Sequence, residues 1–367
     1  MSIPEVEFLL DLLKIYSPTG YEGELAKYLV SRMRDLGFQA HTDAVGNVVG
    51  EVKGKGPRVL LCGHMDTVPG FIPVKIEGDE VWGRGAVDAK GPLATLILAA
   101  KRYVNLGGGL NLIIAGVVEE EGSSRGMYHL IETIEEPDVA VFGEPSGISS
   151  LAIGYKGGIN FKLTIKTERG HSSSPWFFKN SIEEAWSLWE GLKKRFDDYN
   201  REGSKFHSLT YCLTAIDGGG KSVFVPSRCT LTFNVRIPPK LKCQDVIELV
   251  KSYVQHHSTS RGIKVDVKWS DCVEAYVASR SSIIARAFTR AVSEELNVKP
   301  SFVFKTGTSD INVAATKWRK AEMVAYGPGD SSLDHTAWER ISVSGYLKSI
   351  SVLTRTLWWA ERLVSSK

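Results

Sequence analysis

A histidine and a carboxylate two positions apart follow an apolar run in this chain. Residues 59–62 have the length and apolarity of a buried strand, and His64 and Asp66 come directly after it. Because side chains alternate along a strand, His64 and Asp66 face the same side. A carboxylate behind a ligating histidine fixes its tautomer and raises its basicity. The pair predicts a metal ligand with its supporting acid, but a satisfied histidine at a strand end has the same pattern.

Four further stretches place acids or a histidine where an apolar strand or a glycine-rich turn ends. They carry Asp88, the run Glu119-Glu120-Glu121, Glu144 and His335. Adjacent carboxylates repel one another, so three at the end of a buried strand are better explained by bound cations than by a solvated loop. Taken singly, Asp88 is more typical of an N-cap or turn residue than of a metal ligand, and Glu144 is as typical of an exposed turn as of a metal ligand.

The elements that must hold these residues alternate between helices and strands. Apolar spacing predicts helices at 4–16, 21–36, 91–103 and 343–364, strands at 45–52, 58–62, 110–118 and 138–142, and a hairpin of 74–76 with 80–82. This alternation predicts an α/β layer fold, in which ligands gather at the carboxyl ends of strands. Between 157 and 271 the order strand, helix, strand, strand, helix, strand predicts an inserted α+β, ferredoxin-like domain. The first domain then comprises 1–156 and 272–367.

Composition restricts the function classes. The chain has 367 residues, 43% hydrophobic and 24% charged, which is ordinary for a globular protein. Its net charge is +3 and its basic residues are scattered, so we expect no nucleic-acid partner. We expect no membrane segment and no signal peptide, because apolar runs are short and the first residues are acidic. The cysteines are widely separated and predicted to be reduced, which favours the cytoplasm: Cys62, Cys212, Cys229, Cys243 and Cys272.

The order and spacing of these motifs resemble the M20 metallopeptidases and deacylases from end to end. The motifs are Gly-His-Met-Asp-Thr-Val-Pro, Trp-Gly-Arg-Gly-Ala-Val-Asp-Ala-Lys-Gly, Glu-Glu-Gly, Gly-Glu-Pro-Ser and a late Asp-His-Thr. The resemblance implies a zinc-peptidase catalytic domain with two Zn²⁺ ions. In that arrangement Asp88 bridges the ions, one further bound by His64 and Glu144 and the other by Glu121 and His335.

The resemblance also implies that Glu120 is the general base, Asp66 the supporting acid, and the bond between Asp88 and Ala89 cis. Ligand chemistry agrees, since two histidines and three carboxylates suit zinc, and cobalt is also acceptable. Two close ions can hold an attacking water and polarise a carbonyl. Glu120 would take the proton from that water and pass it to the leaving amine.

The inserted domain resembles the lid and dimerisation domain of that family, which implies a homodimer. In the resemblance His171 stabilises the oxyanion in the partner subunit's site, although its serine-rich surroundings also suit a capping turn. Arg236 matches the substrate carboxylate clamp, where a planar guanidinium favours bidentate binding. The alternative for Arg236 is a surface charge on an edge strand.

Two departures from the family point to a subgroup. Desuccinylase-type relatives carry an asparagine before the Val-Pro of residues 225–226, whereas Ser222 opens the corresponding stretch here. Many relatives have a small residue where Lys305 precedes Thr306-Gly307-Thr308. This form resembles the LysK group, which releases lysine or ornithine from the acidic amino-group carrier protein LysW. Lys305 and Thr308 would then contact substrate or carrier, although Lys305 is also compatible with a plain surface lysine.

The leading hypothesis is a zinc-dependent amide hydrolase of lysine and arginine biosynthesis that releases lysine, ornithine or both from the carrier's C-terminal glutamate. The alternative within the same fold is a small-molecule deacylase of the acetylornithine or succinyl-diaminopimelate type, or a dipeptidase. A third hypothesis is an inactive zinc-binding scaffold, but a scaffold has no need of Glu120.

Overall fold

The computed structural model describes residues 3–201, 203–220 and 223–365, and the prediction at Ser222 lies outside them. In this part of the chain the helices are α1 (Pro4–Lys14), α2 (Gly23–Asp35), α3 (Lys90–Asn105), α4 (Arg125–Thr133), α5 (Ser181–Asp197), α6 (Cys243–Arg261), α7 (Ile283–Leu296), α8 (Asp310–Lys317) and α9 (Val343–Ser365). Short 3₁₀ helices span Pro175–Phe177 and Ser331–Leu333.

The strands of the same ranges are β1 (Gln39–Thr42), β2 (Val48–Val52), β3 (Arg58–His64), β4 (Lys75–Glu77), β5 (Glu80–Trp82), β6 (Asn111–Val117), β7 (Val139–Gly143), β8 (Ser150–Tyr155), β9 (Gly157–Lys166), β10 (Gly170–His171), β11 (Thr210–Gly218), β12 (Phe224–Val225), β13 (Arg228–Ile237), β14 (Lys264–Trp269), β15 (Tyr276–Val277), β16 (Ser301–Lys305), β17 (Glu322–Ala325) and β18 (Arg340–Ser342).

The chain forms two compact units. The larger unit comprises Met1–Gly154, Ala278–Phe304 and Ser309–Lys367, and the smaller unit comprises Tyr155–Val277 and Lys305–Thr308. The domain bounds predicted from sequence, and the lid and dimerisation role of the inserted part, stay predictions.

A mixed sheet forms the centre of the larger unit. Its strands run in the order β1-β2-β6-β3-β7-β17-β8, and β16 also pairs with β8. β6, β3, β7 and β17 are parallel neighbours, whereas β1 and β2 are antiparallel. The parallel strands are buried almost throughout, as expected for strands covered on both faces. A separate small sheet of β18-β5-β4 contains the predicted hairpin. The α/β fold class is confirmed.

The smaller unit is an antiparallel sheet in the order β11-β13-β9-β14, and α5 and α6 pack against it. In chain order its four main strands occupy the 4-1-3-2 arrangement of a ferredoxin-like fold. Inward-facing residues of these strands and helices form one apolar core, and it includes Phe161, Trp189 and Phe233. β13 lies inside this sheet, so the alternative that placed Arg236 on an edge strand is wrong.

One prediction about the cysteines is wrong, because Cys243 and Cys272 form a disulfide bond. Cys243 begins α6 and Cys272 follows β14, and these elements pack together so that the two Cα atoms lie 6.0 Å apart. The two cysteines are 29 positions apart in the sequence, and spacing alone gave no sign of this contact. Cys62, Cys212 and Cys229 are free thiols.

In the larger unit, sequence patterns located helices α1, α2, α3 and α9 and strands β2, β3, β6 and β7. They missed helices α4, α7 and α8, the buried strands β8 and β17, and the exposed strand β1. β1 buries only its second residue, and β11 is an edge strand that is largely exposed and lacks regular alternation. Such strands are held by pairing with a neighbour rather than by an apolar face. No helix among the described residues is long and apolar enough to cross a membrane.

Candidate metal centre

Three neighbouring parallel strands end at the same edge of the large sheet. In their registers His64, the last residue of β3, is opposite Val117 of β6, and Gly63 is opposite Gly143 of β7. The chain continues from β6 into Glu120 and Glu121, and from β7 into Glu144. The side chains that the sequence placed at strand ends therefore start from adjacent positions.

Asp88 joins this edge from the turn that precedes α3, and it lies between two histidines. Its Oδ1 is 3.2 Å from Nε2 of His64, and its Oδ2 is 3.1 Å from Nε2 of His335. His335 Nε2 is also 2.7 Å from Oε1 of Glu121. Ligand atoms of His64, Asp88 and Glu121 all lie within 4.8 Å of one another. The peptide bond between Asp88 and Ala89 is cis, as the resemblance implied.

This donor set fits a metal ion. Each carboxylate oxygen of Asp88 faces a different imidazole nitrogen, which is the arrangement a bridging ligand requires. Imidazole nitrogens and carboxylate oxygens are the ligands of catalytic zinc. His64, Asp88 and Glu121 can therefore hold a metal, and His335 is placed to join them.

The second nitrogen of His64 fixes its tautomer. Nδ1 is 2.9 Å from the backbone oxygen of Asp66 and 3.5 Å from the Asp66 carboxylate. A proton on Nδ1 donates to that carbonyl, so Nε2, which faces Asp88, is the nitrogen that a metal would bind. The main-chain oxygen of Asp66 and its carboxylate both contact this nitrogen and orient the histidine.

The Asp66 carboxylate also holds the loop that carries the acidic run. It accepts hydrogen bonds from the backbone N–H groups of Glu120 at 3.0 Å and Glu121 at 3.1 Å, and from the Thr19 hydroxyl at 2.8 Å. The loop needs such anchoring because Glu119 adopts a φ of 59° and Ser124 a φ of 50°, both in the left-handed region.

Glu22 is a second anchor of the same loop, and the sequence gave no sign of it. Its side chain is buried, and Oε1 accepts from the backbone N–H of Glu119 at 3.1 Å and of Gly20 at 3.0 Å. A glutamate just before α2 is ordinary in sequence, and its partner lies 97 positions away.

Glu120 lies in a strongly acidic environment. Burial raises the pKa of its carboxyl well above the usual range. The charges of Glu144, Asp310 and Glu121 raise this pKa as well, whereas the charge of His64 lowers it. Asp310, at the start of α8, is itself buried, and burial raises its pKa to about 7. Its side chain forms a hydrogen bond with Ser124, and its Oδ1 has no hydrogen-bond partner among the described residues.

The histidines carry the compensating positive charge. Burial would lower the pKa of His64, but hydrogen bonds with Asp66 and Asp88 and the charge of Glu120 raise it well above its usual value. The hydrogen bond with Asp88 is the main cause that raises the pKa of His335 to about 9. Acidic and basic side chains with strongly shifted pKa values thus lie together at this edge of the sheet, and such clusters are typical of functional sites.

The remaining predicted site residues belong to the smaller unit. His171 is exposed in β10, and its Nδ1 lies 2.8 Å from the Ser173 hydroxyl. Arg236 is half-buried in β13 and donates from Nη1 to the Thr308 hydroxyl at 2.7 Å. Lys305 ends β16 and is half-buried. Arg236 and Thr308 are thus brought together, 72 positions apart in sequence.

The sequence matches known proteins over nearly its whole length. The profile of peptidase family M20/M25/M40 covers residues 60–359. A protein of Pyrococcus furiosus that carries the provisional name LysW-lysine/LysW-ornithine hydrolase is 38% identical over 96% of each chain. The LysW-lysine hydrolase of Deinococcus radiodurans is 32% identical over 96% of this chain and 95% of its own.

A solved structure shows the same fold. An M20 family metallo-carboxypeptidase from Sulfolobus solfataricus superimposes with a TM-score of 0.84 over 99% of this chain and 100% of its own, at 18% identity.

Proposed function

This chain belongs to peptidase family M20/M25/M40, and from that premise we propose that it releases lysine, ornithine or both from the C-terminal glutamate of an acidic carrier protein of the LysW kind. The observation that carries the proposal is the full-length similarity to proteins named as hydrolases of LysW-linked lysine or ornithine. All the metal ligands that the family resemblance implies are present, which supports an active enzyme rather than a scaffold.

The proposed reaction is hydrolysis of an amide bond at a two-zinc site. Asp88 would bind both ions, His64 and Glu144 would hold one of them, and Glu121 and His335 would hold the other. The opposed contacts of the two Asp88 oxygens support the bridging role. Bound zinc would supply Lewis acidity and a water of lowered pKa, and cobalt has the same ligand preferences.

Glu120 is the proposed proton acceptor. Its backbone is fixed by the Asp66 carboxylate, so the side chain needs no structural hydrogen bond to hold the loop. Burial and neighbouring carboxylates raise its pKa, which makes it a stronger base than an exposed glutamate. It takes the proton released by the attacking water and returns it to the leaving amine.

The substrate's carboxylate is the proposed ligand of Arg236. The Thr308 hydroxyl accepts from one guanidinium nitrogen and so restricts the side chain, which favours the fork geometry of a carboxylate. Lys305 is proposed to contact substrate or carrier. His171 is proposed to stabilise the oxyanion in a partner subunit's site, which requires a homodimer.

We also propose that the enzyme works in the cytoplasm, where amino-acid biosynthesis takes place. The disulfide between Cys243 and Cys272 removes the argument from reduced cysteines. It does not contradict the compartment, because intracellular proteins of hyperthermophiles are often rich in disulfides.

The test compares release of amino acid from three substrates by zinc-loaded protein: lysine-loaded carrier, acetylornithine and succinyl-diaminopimelate. Preference for the carrier by at least about tenfold in kcat/KM is the expected result, a difference of about 1.4 kcal/mol. Faster turnover of either small amide would assign the chain to the deacylases and leave the metal site intact. Treatment with a chelator should abolish all activity, and zinc or cobalt should restore it.

A further inference from the structure

A buried glutamate of the larger unit holds the turn that carries Asp88. Glu339 is 1% exposed, and its carboxylate accepts four N–H groups. Oε2 accepts from Nη1 of Arg84 at 2.9 Å and from the backbone of Gly85 at 3.0 Å. Oε1 accepts from the backbone N–H groups of Val87 and Asp88, each at 2.9 Å.

The guanidinium that neutralises this buried charge is held as well. Arg84 is 8% exposed and donates from Nε to the backbone oxygen of Gly70 at 2.9 Å. A buried carboxylate is stable only when it is paired and fully hydrogen-bonded, and Glu339 meets both conditions. Four satisfied contacts on one side chain define a rigid cradle around residues 84–88.

The same residue also connects the two segments that face each other at the metal centre. Glu339 follows His335 by four positions, and its backbone oxygen accepts from the N–H of Gly83 at 3.3 Å. The next residue begins β18, in which Arg340 is opposite Trp82 of β5. Main chain and side chain of Glu339 therefore bind the histidine segment to the aspartate segment.

We propose that Glu339, together with Arg84, is a positioning residue that sets the geometry of Asp88 as a metal ligand. Asp88 must present one oxygen to each histidine, and a rotation of its backbone would move both oxygens together. The Glu339 carboxylate restrains that backbone at the N–H of Asp88 itself. This inference rests on the metal site proposed above and is independent of the substrate.

Glu339→Gln tests the cradle with almost no change in side-chain volume. Each carboxylate oxygen accepts two N–H groups, so either orientation of the amide places its NH₂ against two donors. We expect Glu339→Gln to weaken metal binding by about 10- to 100-fold, the range found for residues that orient metal ligands. The measurement is competition of the folded, metal-free protein against a chelator for cobalt and zinc, with the visible spectrum of the cobalt form as a report of ligand geometry.

Glu361→Gln is the matched control. Glu361 also holds a loop of the larger unit, accepting from the Tyr103 hydroxyl at 2.6 Å and the backbone N–H of Gly109 at 3.0 Å. It should lower thermal stability without a change in metal affinity or cobalt spectrum. A Glu339→Gln protein that shows the same pattern has lost only stability, and that result overturns the proposal.

Arg84→Gln provides a second test if Glu339→Gln does not accumulate as folded protein. This substitution keeps the Glu339 carboxylate and its backbone contacts but removes the guanidinium. Metal affinity should fall at least threefold, and an affinity equal to that of the wild type would overturn the proposal. Wild-type protein that binds neither metal would refute the metal centre itself, and this inference with it.

Discussion

Replacement of Glu120 by glutamine separates proton transfer from every other role of the acidic loop. The backbone N–H of Glu120, which the Asp66 carboxylate accepts at 3.0 Å, is unchanged by the substitution. Glutamine has nearly the same shape as glutamate but cannot take up a proton at neutral pH. The loop should therefore keep its conformation while the base is lost.

The expected loss in kcat is about 10²- to 10⁴-fold, the usual contribution of a positioned acid or base, or about 2.7–5.5 kcal/mol of activation free energy. The charges of Glu144, Asp310 and Glu121 all oppose ionisation of Glu120. Burial and these charges together outweigh the favourable charge of His64, so the ionised form of Glu120 is disfavoured in the folded protein. Glutamine carries no charge, and the metal-free variant should therefore be at least as stable as the wild type. A loss of activity then cannot be attributed to unfolding.

The assay is steady-state release of lysine from the carrier conjugate, with Glu119→Gln as the neighbouring control. The Glu119 side chain contacts Ser123 and Arg125 at the surface, and an exposed ion pair contributes only about 0.2–1 kcal/mol to stability. We expect the control to keep a kcat within about twofold of the wild type. If Glu120→Gln retains more than about a tenth of wild-type kcat at full metal loading, Glu120 is not the proton acceptor.

Three further predictions concern the smaller unit. Cys243→Ser should destabilise the protein by about 3.6 kcal/mol, because the disulfide with Cys272 closes a loop of 29 positions. Thermal unfolding with and without reductant will show whether reduction has the same effect as the substitution. Lys156 is fully buried, and burial lowers its pKa to about 8 from 10.5, so the unfolded chain binds more protons between these values and stability rises with pH. Between pH 7 and pH 10 the wild type should gain roughly 2.5 kcal/mol of stability relative to Lys156→Met, read from the difference in Tm. The same comparison with Lys194→Met, which removes an exposed lysine, should show no such gain. Arg236→Lys should raise KM at least tenfold with little change in kcat, because the fork that binds a carboxylate is lost; an unchanged KM would remove Arg236 from the substrate site.

The sequence was most informative where apolar strands end in residues that can bind a metal. β3, β6 and β7 are short buried runs, and parallel strands bring their carboxyl ends to one edge, so the placement of His64, Glu121 and Glu144 followed from pattern and topology. Asp88 and His335 lie in turns, whose course periodicity does not describe. Only the family resemblance associated them with the strand ends.

The residues that shape the site were much less accessible from sequence. Glu22 and Asp310 are single acids in ordinary surroundings, and their contacts with the acidic loop cross long stretches of chain. The pairing of Cys243 with Cys272 likewise depends on how α6 packs against β14. Such contacts are consequences of the folded arrangement, and no local pattern specifies them.

Carboxylates at this centre fall into two groups by what they contact. Asp88 and Glu121 point at imidazole nitrogens, whereas Glu22, Asp66 and Glu339 accept backbone N–H groups of the loops that carry those ligands. Both groups are buried or half-buried acids, so residue type and burial do not distinguish them. Substitution by the corresponding amide should distinguish them. In a ligand, the substitution removes a donor atom from the metal, whereas in an anchor it leaves every donor atom present but displaced. A variant whose cobalt form keeps the same number of ligands but has a shifted visible spectrum would therefore identify an anchor. That result would mean that the metal centre depends on restraint of the backbone as much as on its ligands.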